Sequence, residues 1–452
     1  MMRPLAAPGP AVGRPVAGAR ATLVCLVWTL GTGVLLGVKS AAPALGVRWL
    51  PMQVLQPWHA LGAMAFLIAG AATLLCLACR RMGDPATALE WLVTPITGVL
   101  LLAGGLGIAI GQGSGLEYLV WPRGLSAAPL GLLALLAWTA WRRLDGLCRA
   151  SPEGAWLLVM GATLALLGMI ERLLGSEMIE PTRALMIEWH AMDTIFAGLN
   201  TSLYGLAILC SPPVGAGRPL RSRWLYVVAV IALLSTFGHH HYGSAQPALL
   251  KWLALGGSLL GMVSFVRHLA MLRRARPSST ALAPADPLAS AAGAWTLFAV
   301  GTGVLLAIPQ INHLLHGTHA IVAHSMGAII GVNVAIILAG VLGADGRGDP
   351  ARARCVRRAS WSMQVALALI TLDLAVAGFC KGLSRLEGSH HENLSVVRAV
   401  LLPLPLLGLW LAASLSHLGW VAWGCRLPDP PHDRAARAQA RPNPAVATGN
   451  NQ

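Results

Sequence analysis

Long apolar stretches, each close to the length of a membrane-crossing helix, alternate with short polar connections along most of this 452-residue chain. A hydrocarbon core about 30 Å thick takes roughly 20 apolar residues to cross as a helix. Twelve stretches meet that requirement, at 22–40, 57–78, 92–112, 126–141, 154–171, 186–210, 224–243, 248–266, 291–310, 318–343, 360–380 and 397–424. The pattern predicts an all-α, polytopic membrane bundle of twelve transmembrane helices, filling residues 22–425 as one domain. The Pro/Gly/Ala-rich residues 1–21 and the Pro/Ala/Arg-rich residues 426–452 read as disordered tails. Residues 1–21 lack the apolar core of a secretory signal, so the first span is expected to be retained. The longest inner connection, Arg273 to Leu288, reads as a plain linker, and no short tandem repeat is visible.

Composition agrees: 56% of residues are hydrophobic, 11% are charged, and the mean hydropathy is +0.64. A net charge of +15 would suit a nucleic-acid partner, but its distribution excludes that reading. With the N-terminus placed inside, inner loops and tails carry 24 of the 33 Lys and Arg residues, and outer segments carry nine. This is the positive-inside asymmetry, and it predicts that both termini are cytoplasmic. The eight cysteines are scattered and none lies in a Cys-x-x-Cys-His heme-attachment pattern. Cys76 and Cys79 have redox-like spacing, but within an apolar helix end they read as core packing.

The histidines change the picture most. His59, His190, His239, His240 and His324 all fall at or just inside the outer ends of predicted spans. Histidine is costly in a membrane and marks a functional site with a partner. In Gly238-His239-His240-His241-Tyr242-Gly243, adjacent imidazoles on a helix point about 100° apart. Two of them can grip one metal, or the run can be a solvated cluster at a helix end. His324 lies within an apolar helix, with Gly327 and Gly331 following; these glycines would let a flat macrocycle approach an axial ligand. Met326 would lie on the opposite flank of that helix, or serve only as core filler. His313, His316 and His319 recur every three residues and read as outer polar contacts. Trp189-His190-Ala191-Met192-Asp193-Thr194 and Pro57-Trp58-His59-Ala60 could each, alone, be an interfacial histidine beside a belt tryptophan.

Together the four motifs resemble subunit I of the heme-copper oxidase superfamily. That family has twelve helices and carries ligands on helices two, six, seven and ten. The resemblance implies a low-spin heme b on His59, a high-spin heme b on His324, and non-heme iron or copper on His190, His239 and His240. Within the superfamily the wording is similar to nitric oxide reductases, with some features of cbb-type oxygen reductases. Gly115-Leu116-Glu117-Tyr118, followed by Trp121-Pro122, is similar to an outer loop whose glutamate is linked to calcium or to proton entry. Val396-Val397-Arg398 is a weaker echo of the cbb-type pattern.

The departures carry information as well. One group of oxygen reductases has a tyrosine four residues after the helix-six ligand, where this chain has Thr194; the cbb type has it where this chain has Leu233. The nitric oxide reductase glutamate at the metal also falls on Thr194, with Asp193 the neighbouring acid. The second heme ligand on helix ten falls on Met326 in place of histidine. A His59/Met326 pair would raise the heme potential relative to two histidines; the alternative is an altered or absent low-spin heme. The resemblance therefore implies a respiratory reductase in a bacterial inner (plasma) membrane. It would be fed by a cytochrome c-type subunit or another external electron donor, and would reduce nitric oxide to nitrous oxide. A divergent cbb-like oxygen reductase and a non-catalytic heme-binding sensor are the alternatives. A twelve-helix transporter fits the composition but leaves the histidine motifs unexplained.

Overall fold

The computed structural model describes residues 17–44, 46, 51–113, 120–175, 181–210, 242, 247–275, 286–344, 350–387 and 392–424. Among these there is no strand, and eleven helices are long and apolar enough to cross a membrane. They correspond to every predicted span except the seventh, 224–243, which apart from Tyr242 lies outside the described residues, His239 and His240 included. The helices are α1 Ala17–Ala41, α2 Met52–Arg81, α3 Thr87–Ala109, α4 Ala127–Arg142, α5 Leu144–Ala150, α6 Pro152–Gly175, α7 Pro181–Cys210 and α8 Ala248–Ala275. There follow α9 Asp286–Leu306, α10 Pro309–Leu315, α11 His319–Met326, a π-helical stretch Gly327–Val334, α12 Ala335–Gly343, α13 Pro350–Glu387, α14 Glu392–Val400 and α15 Leu404–Trp423.

The bundle is built around α2. Its central run is apolar on every face, and such a helix belongs in the middle; residues from Ala60 to Cys79 are buried without interruption. The outer helices show apolar side chains to their surroundings instead, Leu102 on α3 and Leu406 on α15 among them, as lipid-facing surfaces do. At the end opposite the histidines, tryptophans and arginines form an interfacial belt. The Arg142 guanidinium lies 5.4 Å from the Trp138 ring, and Arg20 lies 5.4 Å from that of Trp423. Cys76 and Cys79 are free, buried thiols in the core of α2.

Four local features differ from the sequence pattern. Helix α1 begins at Ala17, five residues before the predicted span, because Ala19 and Thr22 are buried and the Thr22 hydroxyl pairs with Thr73 Oγ1 at 3.1 Å. The inner linker is shorter than predicted, because Arg273, Arg274 and Ala275 are good helix formers that continue α8 to Ala275, and Asp286-Pro287, residue types suited to a helix start, open α9 at Asp286. The tenth span is not one α-helix: its middle widens into the π stretch, where Asn333 Nδ2 donates to Asn200 Oδ1 of α7 at 2.7 Å. The twelfth span breaks at Leu401–Pro403, between α14 and α15; Pro403 and Pro405 lack the N–H groups that would carry a helix through.

The α6–α7 hairpin is the tightest pair. Gly154, Gly161 and Gly168 recur every seven residues on α6 and meet Gly205, Gly198 and Ala191 of α7. A Cβ on Gly168 would lie 2.8 Å from the Ala191 carbonyl oxygen. Small residues at this spacing let two backbones touch inside a membrane, where close packing replaces the hydrophobic effect between helices.

Candidate heme and metal ligand layer

His59 sits near the start of α2, just after Pro57. Its Nδ1 lies 2.9 Å from the Thr29 carbonyl oxygen of α1, with Thr32 Oγ1 at 3.5 Å. A carbonyl has no proton to give, so Nδ1 donates and Nε2 keeps its lone pair. The ring fits because position 33 is glycine: a Cβ there would stand 3.0 Å from His59 Cε1 and 3.2 Å from Nδ1. Two indoles fix this end of α2. Trp28 Nε1 donates to the Trp58 carbonyl at 2.9 Å, and Trp58 Nε1 to that of Gly105 at 2.8 Å.

His324 follows the same plan on another helix. Its Nδ1 is 2.9 Å from Thr302 Oγ1 of α9. That hydroxyl sends its single proton to the Phe298 carbonyl at 2.8 Å, so toward the ring it accepts. Nε2 again holds the lone pair, and a Cβ on Gly303 would come within 3.3 Å of Cε1. Gly327 and Gly331 do not face a macrocycle slot as the sequence suggested. They take the rings of Trp295 and Phe298 from α9, and Trp295 Nε1 bonds Gln364 Oε1 of α13. Glycine permits close approach here, but of neighbouring side chains.

His190 of α7 has the strongest partner. Its Nδ1 lies 2.6 Å from Glu171 Oε1 of α6, both side chains being about one-third exposed. A carboxylate accepts, so the ring donates from Nδ1 here too. Gly168, three residues before Glu171, packs on Ala191 and Ile195 and so brings Glu171 to His190. The Thr194 hydroxyl is committed to the His190 carbonyl at 2.9 Å. Asp193 is half-buried three residues after His190, about 60° around α7 at 3.6 residues per turn.

Two contacts set the relative heights of these groups. Gly70 of α2 meets Ile337 of α12. His59 is eleven residues before Gly70, roughly 16 Å at an α-helical rise of about 1.5 Å per residue, and Met326 is eleven before Ile337, a somewhat shorter climb because most of it is the π stretch, so both stand toward the same end. Likewise His190 and His324 precede the paired Asn200 and Asn333 by ten and nine residues. The four side chains thus share one layer. Met326 is half-buried against the core and lies about 200° around the helix from His324. Glu117 falls outside the described residues, and among those residues no group of three or more His, Cys, Asp or Glu side chains could hold a metal.

Beyond the layer, the loop before α11 is pinned by Arg385, whose Nη1 donates to the His316 carbonyl at 2.7 Å. Burial, and then Arg385, hold the His316 ring below its ordinary value, so at neutral pH it is uncharged. Tyr242 is buried, its hydroxyl 2.7 Å from the Lys251 carbonyl and 2.8 Å from that of Ala307. It ties position 242 to α8 and to the end of α9. Sequence reasoning missed Glu171, Gly33, Thr29 and Thr302. Only Glu171 left a signal, as an acid closing an otherwise apolar span.

The donor set fits heme and metal: imidazoles held at Nδ1 present Nε2, the arrangement that metal-binding histidines adopt. Fold and layer together define an all-helical membrane protein with ligand-type histidines gathered in one half. The family described as Cytochrome C and Quinol oxidase polypeptide I matches residues 17–403, and the chain belongs to it. The family is one of electron-transport oxidoreductases whose class holds hemes and a copper or non-heme iron centre. A nitric oxide reductase chain of Stutzerimonas stutzeri is 25% identical over 223 residues, a match covering 42% of this chain and 44% of that protein. The chain therefore spans less than half the length of that relative. A cryo-EM structure of a heme-copper terminal oxidase dimer shares the fold, with a TM-score of 0.63 at 13% identity, covering 92% of this chain and 87% of that one.

Proposed function

We propose that the chain is the catalytic subunit of a membrane-bound terminal reductase that converts nitric oxide to nitrous oxide at a binuclear centre. The observation that carries this reading is the repeated tautomer lock. His59, His324 and His190, on three different helices, each give Nδ1–H to a protein acceptor. In this reading His59 and Met326 hold a low-spin heme b, and His324 holds a high-spin heme b. His190, with His239 and His240, holds non-heme iron or copper. Those groups, when bound, supply the electron transfer and the binding of two NO molecules; the balanced reaction takes two electrons and two protons to N2O and water.

The chain's own residues do the rest. Thr29, Thr302 and Glu171 orient the rings. Asp193, three residues after His190 and about 60° around α7, is placed to carry a proton toward the His190 side, and Glu117 is assigned to proton entry or calcium at the outer surface. Electrons come from a cytochrome c-type subunit or another external donor, with the histidine layer on the outer side of a bacterial inner membrane and both termini cytoplasmic.

Nitric oxide is favoured over oxygen by position 194. There the threonine hydroxyl is spent on its own helix and no tyrosine stands to supply the extra electron and proton that oxygen needs. The similarity to a nitric oxide reductase chain supports the same substrate. The test is consumption by purified, reduced protein. NO uptake with one N2O formed per two NO, and slow O2 uptake, is expected. Rapid O2 uptake without N2O would establish an oxygen reductase, and no turnover of either gas would establish a heme-binding sensor.

A further inference from the structure

We infer that Glu171 is a positioning residue for the non-heme metal, a carboxylate supplied from α6 that orients and strengthens His190 as a ligand. This rests on the reading of His190 as a metal ligand given above. The hairpin is built to make the contact. The glycine heptad brings α6 and α7 to backbone contact, Gly168 seats on Ala191, and the next turn of α6 delivers the carboxylate to His190 Nδ1 at 2.6 Å. A ring that gives its Nδ1–H to a carboxylate has one orientation and a more basic Nε2, the two properties a ligand gains from such a partner.

The arrangement also bears on the missing acid at 194. The resemblance puts a glutamate there, one turn below the helix-six ligand, and this chain has threonine bonded to the His190 carbonyl. Negative charge returns beside the same histidine from the neighbouring helix, now acting through the ring. Position 171 is a poor place for a carboxylate without such a partner, because it closes the apolar run of α6.

The test compares the full-length protein with Glu171→Gln and Glu171→Ala. Glutamine keeps an acceptor for Nδ1–H and removes the charge, whereas alanine removes both. Heme content, non-heme metal content and metal affinity by chelator competition are read for each, with the reduction potential of the non-heme metal. The expected result is unchanged heme content, metal binding weakened about 10- to 100-fold in the order wild type, Gln, Ala, and a shifted metal potential already in the Gln variant. Unchanged metal affinity and potential in both variants, with normal heme content, would overturn the inference. Wild-type protein that carries hemes but no non-heme metal would instead overturn the reading of His190. If both variants lose heme as well, Glu171→Asp decides. It retains charge but draws it back by one methylene, so weakened metal binding with intact hemes supports the role and unchanged binding rejects it.

Discussion

At the scale of single residues, the site is defined less by its histidines than by what holds their far nitrogens. The histidines were legible in the sequence because a polar ring in an apolar run is expensive and therefore conspicuous. Their partners were not. A backbone carbonyl on α1 and a threonine that bonds its own helix carry no sequence signal, and Gly33 looks like any other membrane glycine. The partners nonetheless make testable differences. Gly33→Val is expected to remove the low-spin heme selectively, since its Cβ would stand 3.0 Å from His59 Cε1; the pyridine hemochrome yield should fall toward one heme per chain with CO binding retained. Thr302→Val leaves the His324 Nδ1–H facing a methyl group, a loss of about 1–3 kcal/mol for a buried unpaired donor. It should appear as lower occupancy of the CO-binding heme. Met326→His is expected to lower the potential of the low-spin heme, as exchange of a thioether for imidazole does. An unchanged potential would remove Met326 from the ligand set.

At the scale of elements, length and hydropathy located the described spans well, because any helix crossing a bilayer must satisfy its backbone internally and be apolar throughout. What they could not show is how helices deviate. The π stretch Gly327–Val334 and the break at Leu401–Pro403 depend on which neighbour presses on which turn, and a hydropathy profile is blind to that. The glycine heptad of α6 is intermediate: its spacing is visible in the sequence, but its meaning needs the facing glycines of α7. Its importance is measurable. A Cβ on Gly161 would fall within 2.6 Å of the Ser202 hydroxyl oxygen. Gly161→Ala is therefore expected to overpack the hairpin by about 1–3 kcal/mol, lowering the thermal midpoint and loosening the non-heme metal together. Gly131→Ala on α4, with open space around its Cβ, should change neither.

At the scale of the whole molecule, a central apolar helix and a ring of lipid-facing ones carry His59, Met326, His190 and His324 in a single layer toward one end. The fold class and the family were readable from the apolar stretches and from four short motifs in order along the chain. The layer itself was not, because the heights of His59, Met326, His190 and His324 follow only from the Gly70–Ile337 and Asn200–Asn333 contacts. That layer is the central claim, and cofactor stoichiometry tests it most directly. Purified protein, reduced and then exposed to CO, should show two hemes b per chain, one of them binding CO, together with one non-heme iron or copper by elemental analysis. A single heme with no non-heme metal would contradict the account.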